Sequence, residues 1–219
     1  MTNASEVTRI TRAPPKAAAI SGVIFSLLMI IGLGLIRTAA PDDIFSAGSW
    51  LSNPSKRRII AAVIYMIPFA GIAFLWFMAV LRTRLGQLED QFFATVFLGS
   101  GLMFVASLFA ATALAGAFLE SINSQPAILS DSDTFAFVRR AVRAFLNIFA
   151  IKMAAVFMFT TCTISLRTAI LPRWIAFLGF ACGLLSLALI SNWAWVQLLF
   201  PLWMLVVSTQ ILVADSYRR

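Results

Sequence analysis

Six apolar runs separated by short polar stretches organise this chain. They cover about residues 17–36, 59–81, 92–119, 141–166, 174–190 and 193–213. Runs of roughly 20 apolar residues match the length that carries an α-helix through about 30 Å of hydrocarbon at 1.5 Å per residue. The pattern predicts an all-α, polytopic membrane helical bundle with six transmembrane helices. A polar N-terminal tail, 1–16, precedes the domain 17–213, and a polar tail, 214–219, follows it.

The polar stretches carry the residues expected of connections. Pro14 and Pro15 close the N-terminal tail. The first connection, Arg37 to Arg58, contains Pro41-Asp42-Asp43, Trp50 and Asn53-Pro54 followed by Lys56-Arg57-Arg58, and is expected to lie outside the spans. Arg82 to Gln91 reads as a tight turn, and the mixed stretch 121–138 as a loop leading to Arg139-Arg140. Arg167 to Arg173, with Pro172, is a turn, and little more than Ser191-Asn192 divides the last two spans. Pro68 falls inside the second span, where it favours a kink. Thr38-Ala39-Ala40 loosely resembles a signal-peptide cleavage site, but the preceding apolar run is longer than such peptides carry, so an uncleaved first span is expected.

Composition agrees with the pattern. Hydrophobic residues make up 61% and charged residues 12% of the chain, against about 25% charged in soluble domains. The formal charge is +8, from 17 basic and 9 acidic residues. In a soluble protein that would suggest nucleic acid, but here the basic residues flank apolar runs, where they anchor helix ends and meet anionic lipid. Membrane lipids are therefore the expected partners, with a homo-oligomer or a membrane protein partner as the protein contact, and no nucleic acid. Six spans put both termini on one side, with Arg9, Arg12, Lys16, Arg82, Arg84, Arg167, Arg173, Arg218 and Arg219. The other side carries Arg37, Lys56, Arg57, Arg58, Arg139, Arg140 and Arg143. Nine against seven basic residues favours cytoplasmic termini.

The candidate chemistry is sparse. The absence of histidine removes His-ligated haem, His-based zinc and any Ser-His or Cys-His catalytic pair. Cys162 and Cys182 fall inside spans and read as small packing residues. No Walker loop, dinucleotide fingerprint or nucleophile elbow occurs. Glu89-Asp90 beside Arg82 and Arg84, and the pair Asp131 and Asp133, read as solvated loop charge. No catalytic, cofactor-binding or metal residue is assigned, and no cofactor is expected.

Small residues mark packing faces, because closely approaching helices need them in lipid. Ala18, Gly22 and Ser26 form one, Ser107, Ala111 and Ala115 a second, and Gly179 and Gly183 a third. A further stripe, at 106, 110, 113, 117 and 120, ends in Glu120, which is expected to face protein and to pair with Arg143.

Lys152 is the residue most in need of a reason. It lies about eleven residues into the fourth span, where inserting a charge costs about 2.5–3.5 kcal/mol. The expected partners are Tyr65, Gln197, the hydroxyls of Thr160, Thr161 and Thr163, water in a cavity, or Glu120 if the helices are shifted. Lys152, Phe159 and Thr163 share one helix face, while Arg140, Arg143 and Asn147 share another, so this span offers polar groups to two neighbours. Lys152, Arg143, Asn147 and Glu120 form the candidate intramembrane polar site. The threonine-rich stretch 160–165 is expected to bond its own i−4 carbonyls.

Several runs carry a resemblance. Pro68 to Phe77, Leu85-Gly86 with Glu89-Asp90, Phe92 to Gly101, Leu166-Arg167-Thr168 and Pro172-Arg173-Trp174 resemble a family of uncharacterised multi-pass bacterial membrane proteins, common in actinobacteria. The likeness covers most of residues 40–213 and implies a bacterial plasma membrane, but no reaction, substrate or catalytic residue. The absence of catalytic constellations and the small-residue helix faces, not the resemblance, lead to the first functional expectation, a non-catalytic accessory or assembly partner. The alternative is a permease or channel-like carrier of a small solute or lipid with its polar site at Lys152, and an enzyme acting on lipids comes third.

Overall fold

The computed structural model describes residues 15–39, 53–85, 91–124, 132–168, 171–189 and 196–216. All regular structure among them is helical: α1 Pro15–Ala39, α2 Pro54–Leu85, α3 Gln91–Ser124, α4 Ser132–Arg143, a π-helical segment Ala144–Ala150, α5 Ile151–Thr168, α6 Arg173–Ala188 and α7 Val196–Ser216. The segments α4, π and α5 run on without a break, so the described chain forms six rods. Five are long and apolar enough to cross a membrane, and α6 is a shorter apolar helix of 16 residues, about 24 Å. The protein is a polytopic helical bundle, multi-pass by the length and composition of its helices.

Several boundaries differ from the apolar runs for identifiable reasons. Asn53 caps α2 by accepting the N–H of Ser55 at 3.0 Å, and Pro54 occupies the first helical position, where a missing N–H costs nothing. Lys56, Arg57 and Arg58 therefore stand on the first turns of α2 and not in a loop. Part of the stretch 121–138 is also helical, because α4 is amphipathic and its arginines hide it from a hydropathy average. Asp42, Asp43, Trp50, Glu89, Asp90, Asp131, Ser191 and Asn192 lie outside the described residues.

The six rods close into a ring in chain order. Each packs on the next, from α1 to α2, α3, the α4–α5 rod, α6 and α7, and α7 returns to α1. Phenylalanines fill the middle. Phe25 of α1, Phe74 of α2, Phe104 of α3, Phe157 of α5 and Phe200 of α7 are all buried. Their ring centroids lie 5.0 Å apart for Phe25–Phe74, 5.2 Å for Phe74–Phe104, 4.9 Å for Phe104–Phe200 and 5.1 Å for Phe74–Phe157, mostly tilted or edge to face. In lipid, where apolar transfer gives helices little reason to associate, such interlocking supplies dispersion contacts in its place.

Three of the four small-residue faces are used inside the bundle. Gly22 faces α7 and α2, where an added Cβ would meet Ser208 Oγ and come within 2.8 Å of Phe77. A Cβ on Gly179 would meet Cys162 Sγ and stand 2.6 Å from Trp203 Nε1, while one on Gly183 would stand 3.2 Å from Phe159. Ser107 and Ala111 are buried as well. The Gly179–Gly183 pair thus seats α6 on its own neighbours within the chain.

Among the described residues, one buried hydroxyl is unmatched. Most described Ser and Thr side chains donate to a carbonyl three or four residues back, as Ser26 does to Gly22 O at 2.8 Å. Ser208, fully buried beside Gly22, has no partner. In a lipid-embedded helix a free hydroxyl would bond a carbonyl of its own preceding turn, so leaving it unbonded in the bundle forgoes about 1 kcal/mol. Ser208→Ala is accordingly expected to stabilise the folded protein by roughly 1 kcal/mol, measured as a rise in unfolding midpoint in detergent. A lowered midpoint would show that Ser208 makes a bond.

Candidate functional site

The candidate polar residues sit where the α4–α5 rod meets the hairpin formed by α6 and α7. The rod changes pitch there. Over Ala144–Ala150 it runs as a π-helix, and the N–H of Ile151 bonds Leu146 O, five residues back. Asn147 lies buried within this wider segment. Its Oδ1 accepts a hydrogen bond of 2.8 Å from Gln197 Nε2, on the first turn of α7.

Lys152 follows, one residue into α5 and half-buried. Its Nζ donates to Ser186 O at 3.0 Å and to Leu187 O at 2.6 Å. Both carbonyls belong to the last turn of α6. A helix end leaves its last four carbonyls without intrahelical donors and carries partial negative charge, which a cation relieves. The last turn of α6 has no basic residue of its own, and Leu189 N–H satisfies Leu185 O at 2.9 Å. Lys152 serves the next two carbonyls. It is a C-terminal cap supplied by the neighbouring helix.

The register explains the encounter. Lys152 precedes Thr168, the end of α5, by sixteen residues, and α6 is itself 16 residues long. Two antiparallel helices of matched length from one turn place Lys152 level with the end of α6. None of the side-chain partners expected from sequence takes up the ammonium. Gln197 bonds Asn147, and Thr160, Thr161 and Thr163 bond Val156 O, Phe157 O and Phe159 O on their own helix. Lys152 and Asn147 reach different helices, whereas Arg140, expected on the Asn147 face, is exposed. Phe159 stacks on Phe180 of α6 with centroids 5.8 Å apart, on the face that carries Lys152, while Asn147 reaches α7.

Glu120 departs from expectation. It is exposed near the end of α3, and among the described residues it forms no ion pair with Arg143 or Lys152. The stripe leading to it is outward as well: Ala106, Ala113 and Ala117 are exposed and Ala110 is half-buried. Periodicity placed these residues on one face correctly, but the neighbours α2 and the α4–α5 rod occupy the flanks of α3 and leave this face uncovered. Arg143 is half-buried on the last turn of α4. Lys152 and Asn147 are thus brought to one corner of the bundle, and Glu120 lies on another surface.

Sequence reasoning missed the carbonyls of Ser186 and Leu187, because a backbone acceptor has no residue signature. Counting residues outward from the α5–α6 turn would have found them. Chemically the corner joins an ammonium to two carbonyls and one amide to another. Both contacts hold helices.

No protein-family model, no curated protein and no solved structure matches the chain. Length and composition of the helices remain the basis for describing it as a multi-pass membrane protein.

Proposed function

We propose that this chain is a six-span protein of the bacterial plasma membrane, with cytoplasmic termini, that acts without catalytic chemistry as an assembly partner of another membrane protein. The reading rests above all on the uncovered face of α3. Of four small-residue faces, three are spent on packing within the chain, whereas Ala106, Ala113 and Ala117 point outward and lead to an exposed Glu120. Small side chains on a lipid-facing helix let a partner's backbone approach closely, and a carboxylate at the end of such a stripe offers a site for a donor. The placement in a bacterial membrane draws on the resemblance noted above, and the orientation on the balance of basic residues.

The polar corner supports the same reading. Lys152 is occupied by α6 carbonyls, and the centre of the ring is filled by phenylalanine. A carrier would be expected to turn its costly lysine toward the transported solute.

Affinity purification of the tagged chain from native membranes in mild detergent tests the proposal. One membrane protein is expected to co-elute with the parent and to fall at least about tenfold with Ala113→Leu, which fills the stripe at a cost of the order of 1.4 kcal/mol or more in association. Identical eluates from parent and variant would sink it. Solute flux in reconstituted vesicles that Lys152→Met abolishes would establish the carrier instead.

A further inference from the structure

At the end of the bundle where α1 stops and α2 starts, Lys56, Arg57 and Arg58 occupy the first two turns of α2. That turn is well formed: Asn53 caps it, and Arg57 N–H bonds Asn53 O at 3.1 Å. It is also fixed to the bundle, because Ile60, one turn on, packs in a buried cluster with Ala39 of α1 and Ile122 of α3. No acidic residue lies in the first turn of α2. Three cations at the positive end of a helix repel both one another and the helix dipole. Among the described residues, the start of α2 therefore carries three positive charges in a fixed position. Arg58 is exposed and Lys56 and Arg57 are half-exposed.

The amphipathic α4 lies at the same end, since it follows α3 and packs on it. Phe137, 69% exposed, and the exposed Arg140 are spaced by three and share its outer face. A large apolar ring beside a cation, on the first turns of the long α4–α5 rod, is the pattern of a helix end seated at the lipid headgroup level. The described acidic residues at this end are Glu120 and Asp133, against Lys56, Arg57, Arg58 and Arg140 together with further arginines on α1 and α4.

We infer that this end of the bundle binds the headgroup of an anionic phospholipid, with Lys56, Arg57 and Arg58 meeting the phosphate and Phe137 and Arg140 of α4 seated in the surrounding interface. Complementary charge selects this occupant: at headgroup depth the abundant anions are lipid phosphates in either leaflet, and each basic residue near an anionic lipid surface contributes about fivefold in affinity.

The test uses the purified full chain in neutral detergent, titrated with phosphatidylglycerol or phosphatidylcholine and read by native mass spectrometry. Phosphatidylglycerol is expected to bind in preference, and to weaken steeply as salt rises, since screening shortens to about 3 Å at 1 M. Neutralising the turn with Lys56→Gln, Arg57→Gln and Arg58→Gln together is expected to weaken it about a hundredfold, following the same per-charge factor. Arg82→Gln with Arg173→Gln, at the opposite end, is expected to leave it within about twofold. Equal binding of the two lipids by the parent, an unaltered triple variant, or an equal loss in the opposite-end variant would each overturn the inference, as would displacement of the lipid by millimolar inorganic phosphate. Should the triple variant not fold, Arg58→Gln alone, expected to lose about fivefold, carries the test.

Discussion

Phe74→Ala is expected to destabilise the bundle by about 3 kcal/mol, among the largest effects of any single truncation in this chain. Phe74 is fully buried and touches the rings of Phe25, Phe104, Phe157 and Phe200, so one side chain links four helices to its own. In a soluble core such a truncation costs about 3–5 kcal/mol, as lost transfer plus the cavity left behind. In a bilayer the unfolded reference is lipid and not water, so most of the transfer part drops out. The cavity and the lost dispersion contacts remain. Phe177→Ala on α6, where the ring is 63% exposed, is the matched control and is expected to stay within roughly 0.5 kcal/mol. Equilibrium unfolding in mixed micelles measures both. Equal losses for the two variants would mean that the phenylalanine centre does not hold the ring together.

Lys152→Met is expected to cost a similar amount, about 3 kcal/mol, for a different reason. The methionine fills much of the same volume but leaves Ser186 O and Leu187 O without donors. Hydrogen bonds from a charged donor contribute about 1.5–3 kcal/mol each, and carbonyls stranded away from water are penalised further. Relief of the lysine's own insertion cost offsets part of the loss. Lys152→Arg keeps donors and charge and is expected to retain more than half of the stability. The damage should be local as well: amide exchange is expected to rise first in the last turn of α6 and the first turn of α7. If Lys152→Met matches the parent, the capping role fails.

The helices themselves were legible in the sequence because lipid demands that a spanning segment satisfy its backbone internally, and a run of apolar residues has few other ways to do so. What the apolar runs could not mark were ends that are polar for local reasons. The Asn53-Pro54 start of α2 was readable as a cap and first helical residue, yet the arginines that follow resemble a loop. The arginines of α4 act likewise. The pitch change over Ala144–Ala150 leaves no periodic signal at all, since one π turn is too short to shift a hydrophobic pattern. Of the candidate residues, Lys152 and Asn147 were legible as polar groups needing partners, and they reach α6 and α7 respectively. Glu120 was misplaced because periodicity says which residues share a face, but not whether a helix arrives to cover it.

The shortness of α6 reaches beyond the chain. At 16 residues it offers lipid a wall of about 24 Å, while α2 and α3, with 32 and 34 residues, run about 48 and 51 Å. A bilayer with a core of about 30 Å meets the two flanks on unequal terms. The described helices on the two flanks are therefore unequal in length. If α6 spans as proposed, acyl chains beside it are expected to compress or splay, and the longer helices to lean or emerge into the headgroups. On that reading thinner bilayers suit the α6 side, and lipid chain length is expected to change how the bundle tilts.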